Sequence, residues 1–155
     1  MNRTLVHRGP DGEGYELFKT DFADIGLGQR HLSIIDLTQG RSQPQTYKSL
    51  HITFNGEIYN YAEIKKQLEI IGHKSVSQSD TEVMLHANYE WGSLALQQFI
   101  GMFAFVIYDE ANQQLFIARD RPGVKPVFYY WNDGLFLFGS ELKALLQHPK
   151  FKKRD

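Results

Sequence analysis

A continuous apolar run, Met102–Tyr108, constrains the fold more than any other stretch of this chain. Seven consecutive residues without a charged side chain are typical of a strand that is buried on both faces. A strand of this kind lies inside a sheet that is covered by another layer on each side. The run therefore predicts an internal strand around which further strands and helices are arranged.

The other predicted strands are joined by short turns. Asn132-Asp133-Gly134 is a strong hairpin signal between Val127–Trp131 and Leu135–Gly139. The turn Asp109–Gln113 leads the internal strand back into Leu115–Arg119. Earlier strands are predicted at Tyr15–Phe18, Ile25–Ile35 and Leu50–Phe54. Because hairpins join antiparallel neighbours, this pattern predicts an α+β fold rather than a doubly wound parallel sheet.

Two helices are predicted between the two groups of strands. The first, Tyr61–Ile71, has apolar residues at helical spacing, with Asn60 as its N-cap. The second begins at Ser79-Asp80-Thr81-Glu82, which is the signature of a capping box, and continues to Trp91. Shorter helices are predicted at Leu94–Phe99 and Glu141–Gln147.

Composition narrows the possible classes of protein. A chain of 155 residues with 42% apolar residues fits one domain with a packed core, here residues 1–149 followed by a basic tail at 150–155. The net charge of −1 gives no basic field for nucleic acid. The start Met1–Arg8 has no secretory hydrophobic core, and no apolar run is long enough for a membrane span. A cytoplasmic domain is therefore expected.

The sequence shows no self-contained catalytic centre. It has no cysteine, which excludes disulfides, thiolate metal sites and a cysteine nucleophile within these residues. Neither phosphate-loop motif occurs, and the six histidines have no metal-ligand spacing, so no metal site is expected. Ser33 and Ser140 lack a nucleophile elbow.

Asn55-Gly56 is the most informative short segment. The strand Leu50–Phe54 is expected to end there, because Asn and Gly both tolerate the positive φ of a tight turn. A plain turn is one interpretation. The other is an oxyanion-binding site, because an unshielded Gly N–H and an Asn amide are two donors for a developing negative charge.

Seven segments, in order along nearly the whole chain, resemble the class II glutamine amidotransferases, and in particular the glutaminase domain of glutamine-hydrolysing asparagine synthetases. These segments are His7–Asp11, Leu32–Asp36, Phe54–Asn60, Ser79–Glu82, Gly101–Phe105, Ala118–Arg121 with Gly123 and Pro126, and Phe138–Leu145. The resemblance implies an N-terminal-nucleophile hydrolase-like fold. That fold is a four-layer αββα sandwich with two antiparallel sheets, and its opening strand is expected to be missing here.

The resemblance also implies a reaction. In the family, an N-terminal Cys attacks the side-chain amide of glutamine, a thioester forms, and ammonia passes to an ATP-using synthetase domain that amidates aspartate. Asn55 and Gly56 resemble the oxyanion hole, and Glu57 and Asp80 resemble the groups that hold the α-ammonium. The substrate carboxylate is expected near His31 and Leu32, where the family has Arg in place of His31; the adjacent Arg30 is a possible substitute.

The chain departs from the family at its start. It begins Met-Asn-Arg-Thr where the family begins Met-Cys-Gly-Ile, and Asn2 cannot replace a thiolate. The chain is therefore expected not to hydrolyse glutamine. The ATP loop of the synthetase domain is absent as well. No cofactor is expected in this domain, and ATP and magnesium are expected only in a synthetase domain.

Three interpretations stay open from the sequence. The chain is the glutaminase half of an asparagine synthetase, a non-catalytic glutamine-binding or interaction pseudoenzyme, or an amidotransferase half that serves a different synthetase. The expected partners are glutamine and a synthetase domain, with no nucleic acid and no membrane. A homodimer is possible because a missing opening strand exposes a sheet edge.

Overall fold

A four-stranded antiparallel sheet forms the centre of the molecule. In the computed structural model, which describes residues 1–31 and 43–153, the strand order is β3–β4–β5–β6. These strands are β3 (Gln45–Tyr47), β4 (Leu50–Ile58), β5 (Gly101–Asp109) and β6 (Gln114–Arg119). The apolar run predicted to be an internal strand is the body of β5, which pairs with β4 on one side and β6 on the other.

Two separate hairpins cover one face of this sheet. They are β1–β2 (Gly12–Lys19 and Asp24–His31) and β7–β8 (Phe128–Asn132 and Leu135–Gly139). Leu27 of β2 packs with Val106 and Tyr108 of β5, and Phe138 of β8 packs against the same cluster. Both hairpins therefore belong to the layer next to the central sheet.

Helices form the two outer layers. The opposite face of the central sheet packs against α1 (Tyr61–Ile70) and α2 (Asp80–Trp91), which enclose the main core. The short α3 (Leu142–Leu146) contacts β7 and β8. This order of helices, sheet, hairpins and helix confirms the predicted α+β class and its four layers. The structure divides the second of the two predicted sheets into two hairpins.

The prediction that Leu50–Phe54 ends in a turn at Asn55-Gly56 is wrong. Strand β4 continues through both residues to Ile58, with Asn55 opposite Ala104 and Gly56 opposite Phe103. The glycine has φ = 154°, and a Cβ built on it would lie 2.1 Å from the Met102 oxygen. Glycine is needed here because two strands approach closely, not because the chain turns.

Other differences concern element ends. Strand β1 begins at Gly12, before the predicted start at Tyr15, and Asn2–Arg8 and Gly92–Gln97 form 3-10 helices. Asn60 does not cap α1 through its side chain. Its amide instead bonds the main chain of Gln98 and Ile100. Among the described residues, no helix has the length and apolar character needed to cross a membrane.

Candidate functional site

Among residues 1–31 and 43–153, no strand pairs with the outer edge of β4 beyond Ile52, where β3 ends its pairing. At Phe54 the N–H donates to Gln43 Oε1 (2.5 Å) and the carbonyl oxygen accepts from Gln29 Nε2 (3.0 Å). At Ile58 the N–H donates to Asp80 Oδ2 (3.1 Å). Because antiparallel strands direct alternate residues to opposite edges, Gly56, which lies between these two, presents its N–H and C=O to the same edge.

The hydrogen bonds of Phe103, the residue of β5 opposite Gly56, support this direction of the Gly56 N–H and C=O. Phe103, opposite Gly56, donates its N–H to Asp120 Oδ2 (3.0 Å) and accepts at its oxygen from the Asp120 N–H (2.7 Å). Both main-chain groups of Phe103 are therefore turned toward Asp120 and away from Gly56. The Gly56 N–H is a donor directed away from the sheet, as an oxyanion hole requires.

The side chain of Asn55 lies on the hairpin side of this edge. Phe54 and Ile58 belong to the core cluster on the helix side, and successive side chains of a strand point to opposite faces. The Asn55 amide is half-buried and makes no hydrogen bond within the described part of the chain. It is therefore a second donor beside the Gly56 N–H.

Asp80 supplies a carboxylate from the helix side. It is the first residue of α2, which is capped by Ser79, whose Oγ accepts from the Thr81 N–H (3.2 Å). Burial raises the pKa of Asp80, against the hydrogen bonds from the main chain of Ile58 and Thr81, and the nearby charge of Glu57 raises it further. No cation of the described residues pairs with this partly buried carboxylate, and such a group is suited to bind an ammonium group.

Glu57 and Glu82 differ in their roles. Glu57 is exposed on β4 next to Gly56, and its charge acts on Asp80. Glu82 does not complete the predicted capping box. Its carboxylate accepts from the N–H groups of Val76 (2.6 Å) and Ser77 (2.7 Å), which holds the segment that leads into Ser79 and Asp80.

The structure does not bring Arg30 to this edge. Its Nε donates to the Gly9 oxygen (2.8 Å), and its Nη1 pairs with Glu13 Oε2 at 2.9 Å. His31 ends β2 opposite Gly12. Leu32 lies outside the described residues. Of the candidates for the substrate carboxylate, Arg30 is thus held by Gly9 and Glu13.

Gln29 and Gln43 are site residues that the sequence did not indicate. They hold the Phe54 main chain at the end of the free edge, and they lie 25 and 11 residues away from it in the chain. Single glutamines in a strand and in a polar loop carry no local pattern. Only the tertiary fold brings them to β4.

Comparison with known proteins decides the family. The model of a family described as "Glutamine amidotransferase domain" matches residues 1–155. The chain belongs to the glutamine amidotransferase family. Among solved structures, this glutamine amidotransferase domain is similar to the glutamine phosphoribosylpyrophosphate amidotransferase of B. subtilis complexed with ADP and GMP. The TM-score is 0.73 at 22% identity, over 93% of this chain and 38% of that one. The N-terminal-nucleophile type of fold is thereby confirmed.

Two of the curated relatives are glutamine-hydrolysing asparagine synthetases. Asparagine synthetase [glutamine-hydrolyzing] 3 of Bacillus subtilis is 44% identical, over 99% of this chain and 25% of that protein. Putative asparagine synthetase [glutamine-hydrolyzing] 2 of Methanocaldococcus jannaschii is 36% identical, over 100% of this chain and 33% of that protein. The amidotransferase domain thus spans about a quarter to a third of these two relatives.

Proposed function

We propose that the outer edge of β4 binds free glutamine. The side-chain carbonyl oxygen accepts from the Gly56 N–H and the Asn55 amide, and the α-ammonium pairs with Asp80, with Glu57 adding negative charge nearby. His31 and Leu32 are the proposed contacts of the α-carboxylate.

The main support for this proposal is the distance between Gly56 and Ile58 along the outer edge of β4. Gly56 and Ile58 are two residues apart, so their N–H groups are separated by about 7 Å along the strand. The Asp80 Oδ2 atom lies 3.1 Å from the Ile58 nitrogen. The four bonds between the amide carbon and the α-nitrogen of glutamine span about 5 Å. With a hydrogen bond at each end, the length of glutamine fits between the Gly56 N–H and the Asp80 carboxylate beside Ile58.

In a protein of this family, the bound amide is hydrolysed and the ammonia is used by a second domain. We propose that these 155 residues perform the recognition step without turnover, because they contain no cysteine to form a thioester. The proposed partner is a synthetase domain like that of the asparagine synthetase relatives, where ATP and magnesium would act. The amidotransferase domain itself needs no cofactor in this scheme, and aspartate is the proposed acceptor.

Calorimetry with an ammonia assay tests the proposal. Wild-type protein is expected to give a saturable heat with glutamine and no ammonia. Asn55→Ala is expected to weaken binding, since one donor to the carbonyl is lost. Asn112→Ala, in the turn after β5, is the matched control and is expected to bind like wild type. Absence of any heat, or steady ammonia release that Asn55→Ala abolishes, would contradict the proposal.

A further inference from the structure

Gln29 is a half-buried residue of β2 whose side chain reaches the outer edge of β4. Its Nε2 donates to the Phe54 oxygen at 3.0 Å. Because a carbonyl oxygen only accepts, this bond fixes which end of the Gln29 amide faces Phe54. The nitrogen is turned toward Phe54, and Oε1 is left as an acceptor that has no hydrogen-bond partner within the described part of the chain.

The Gln29 amide is a close neighbour of the Gly56 N–H along this edge. Phe54 and Gly56 are two residues apart on β4, and both direct their main-chain groups to the same edge, where the repeat is about 7 Å. The Phe54 oxygen lies along the edge between the N–H of Phe54 and the N–H of Gly56. It is therefore less than one repeat from the Gly56 N–H, and a ligand bonded there lies beside the Gln29 amide.

The amide group of a glutamine bound at this edge has a defined direction. This step rests on the proposed function, in which the ligand oxygen accepts from the Gly56 N–H and the ligand chain runs toward Asp80. The three atoms bonded to an amide carbon lie in one plane around it. With the oxygen at Gly56 and the chain directed to Asp80, the amide nitrogen is directed away from Asp80, toward the Phe54 end where Gln29 lies.

The free oxygen of Gln29 distinguishes an amide from a carboxylate at that position. A primary amide nitrogen carries two N–H donors, whereas an ionised carboxylate only accepts. Glutamine would therefore offer a donor to Oε1, and glutamate would bring a second acceptor against it. The Gln29 amide cannot rotate to present its nitrogen without placing its own oxygen against the Phe54 oxygen.

We infer that Gln29 is a specificity-determining residue, whose Oε1 accepts a hydrogen bond from the amide nitrogen of glutamine and disfavours the γ-carboxylate of glutamate. The bond to Phe54 holds the Gln29 amide in the orientation that this preference requires. The edge of β4 then binds the amide in preference to the acid that its hydrolysis would produce.

Titration calorimetry with glutamine and with glutamate measures this preference, as the ratio of the glutamate Kd to the glutamine Kd. Gln29→Met keeps a side chain of similar length and removes the amide oxygen. We expect the ratio to fall roughly tenfold in this variant, because the hydrogen bond to the amide and the repulsion of the carboxylate are both lost.

Gln43→Met is the matched control. Gln43 Oε1 accepts from the Phe54 N–H, on the side of Phe54 that is away from Gly56. This variant also removes a hydrogen bond to the Phe54 main chain, but it removes no group beside the ligand amide. It is expected to weaken both ligands by a similar factor and to leave the ratio within about twofold of the wild-type value.

A second pair of variants covers the case in which Gln29→Met does not fold. Gln29→Lys keeps a donor for the Phe54 oxygen and has no acceptor, so the same fall in the ratio is expected. Gln43→Lys places an equal charge on the other side of Phe54 and measures how much of the fall is caused by charge alone.

A fall in the ratio that is confined to the Gln29 variants, or is much larger in them, supports the inference. A ratio that does not change in them, or that falls equally in the Gln43 variants, overturns it and leaves glutamine binding at this edge standing. Absence of glutamine binding by wild-type protein overturns both the proposed function and the role of Gln29.

Discussion

Gly56 is the residue on which the site depends most. Its φ of 154° is unfavourable for other residues, and an added Cβ would meet main-chain atoms of β5 that cannot move aside. We expect Gly56→Ala to lower the free energy of unfolding by more than about 2 kcal/mol, because both strain and a backbone clash are introduced. Urea denaturation measures this.

Gly134→Ala is the control for that substitution. Gly134 also has positive φ, 72°, but no atom of the described residues lies within 4 Å of a Cβ placed there. This variant carries only the conformational cost of a left-handed residue, about 1–2 kcal/mol. Equal losses in the two variants would show that close approach of β4 and β5 is not what requires glycine at position 56.

Substitution of Asp80 is expected to have opposite effects on the stability of the fold and on glutamine binding. Since burial raises its pKa, the ionised carboxylate costs stability in the folded protein at neutral pH. Asp80→Asn retains an oxygen for the Ile58 N–H, so its unfolding free energy is expected to equal or exceed that of wild type. Its glutamine binding is expected to be lost, because the charge that pairs with the ammonium is removed.

The pH dependence of the unfolding free energy tests whether the ionised Asp80 carboxylate stabilises or destabilises the fold. The stability gap between Asp80→Asn and wild type is expected to be small below the ordinary carboxyl pKa of 3.8 and to grow as pH rises through the raised pKa. Denaturation at pH 3.5 and pH 7 measures it. A variant less stable than wild type at pH 7 would show instead that the carboxylate stabilises the fold.

At the residue level, the sequence predicted an unusual backbone at Asn55-Gly56 for a partly wrong reason. Asn55-Gly56 was predicted to lie either in a turn or in an oxyanion site. The positive φ of glycine was correctly inferred, but its cause is a cross-strand contact with Met102 and Phe103, more than 40 residues away. Local sequence cannot show that contact, nor the bonds from Gln29 and Gln43.

At the level of elements, α2 carries a buried histidine, His86, that makes stability sensitive to acid. His86 is 2% exposed and its ring lies 3.9 Å from that of Tyr47, between centroids. Burial lowers the pKa of His86 below its ordinary 6.5, as do the charges of His73 and Lys48, whereas Glu82 opposes the shift. Folding therefore favours the neutral ring, and the stability this gives is present above pH 6.5 and lost as pH falls below it.

Substitution of this histidine tests the effect. We expect wild-type protein to lose stability between pH 7 and pH 5, and His86→Gln to lose markedly less over that interval, because no buried imidazole has to be charged. His148→Gln, after α3, is the control and is expected to follow wild type. Parallel curves for wild type and His86→Gln in urea denaturation would contradict this account.

The elements differ in how well their sequences predict them. Helices α1 and α2 begin and end within a residue of the predicted limits, because their apolar spacing and the Ser79 cap are local signals. Strand β1 begins earlier than predicted, at Gly12, since its glycines permit close packing: a Cβ on Gly14 would lie 2.0 Å from the Gln43 oxygen. Glycines that serve packing resemble loop glycines in sequence.

At the level of the whole molecule, the layered architecture followed from the buried run of β5, the hairpin turns and the resemblance to the family. The division of the second layer into two hairpins was not predicted. The pairing of strands that are distant in sequence depends on how the whole chain folds, which local patterns do not show. The division leaves β1–β2 and β7–β8 as separate hairpins over one sheet. The site lies on the intact four-stranded sheet, so it does not depend on a continuous second sheet.

The most direct test of the central claim is an NMR titration of ¹⁵N-labelled protein with glutamine. We predict saturable shifts that are largest at the Gly56 amide and the Asn55 side-chain amide, with asparagine, one methylene shorter, binding roughly tenfold more weakly or less. No saturable shift with glutamine, or shifts confined to residues away from Phe54–Ile58, would contradict the claim that this edge of β4 binds glutamine.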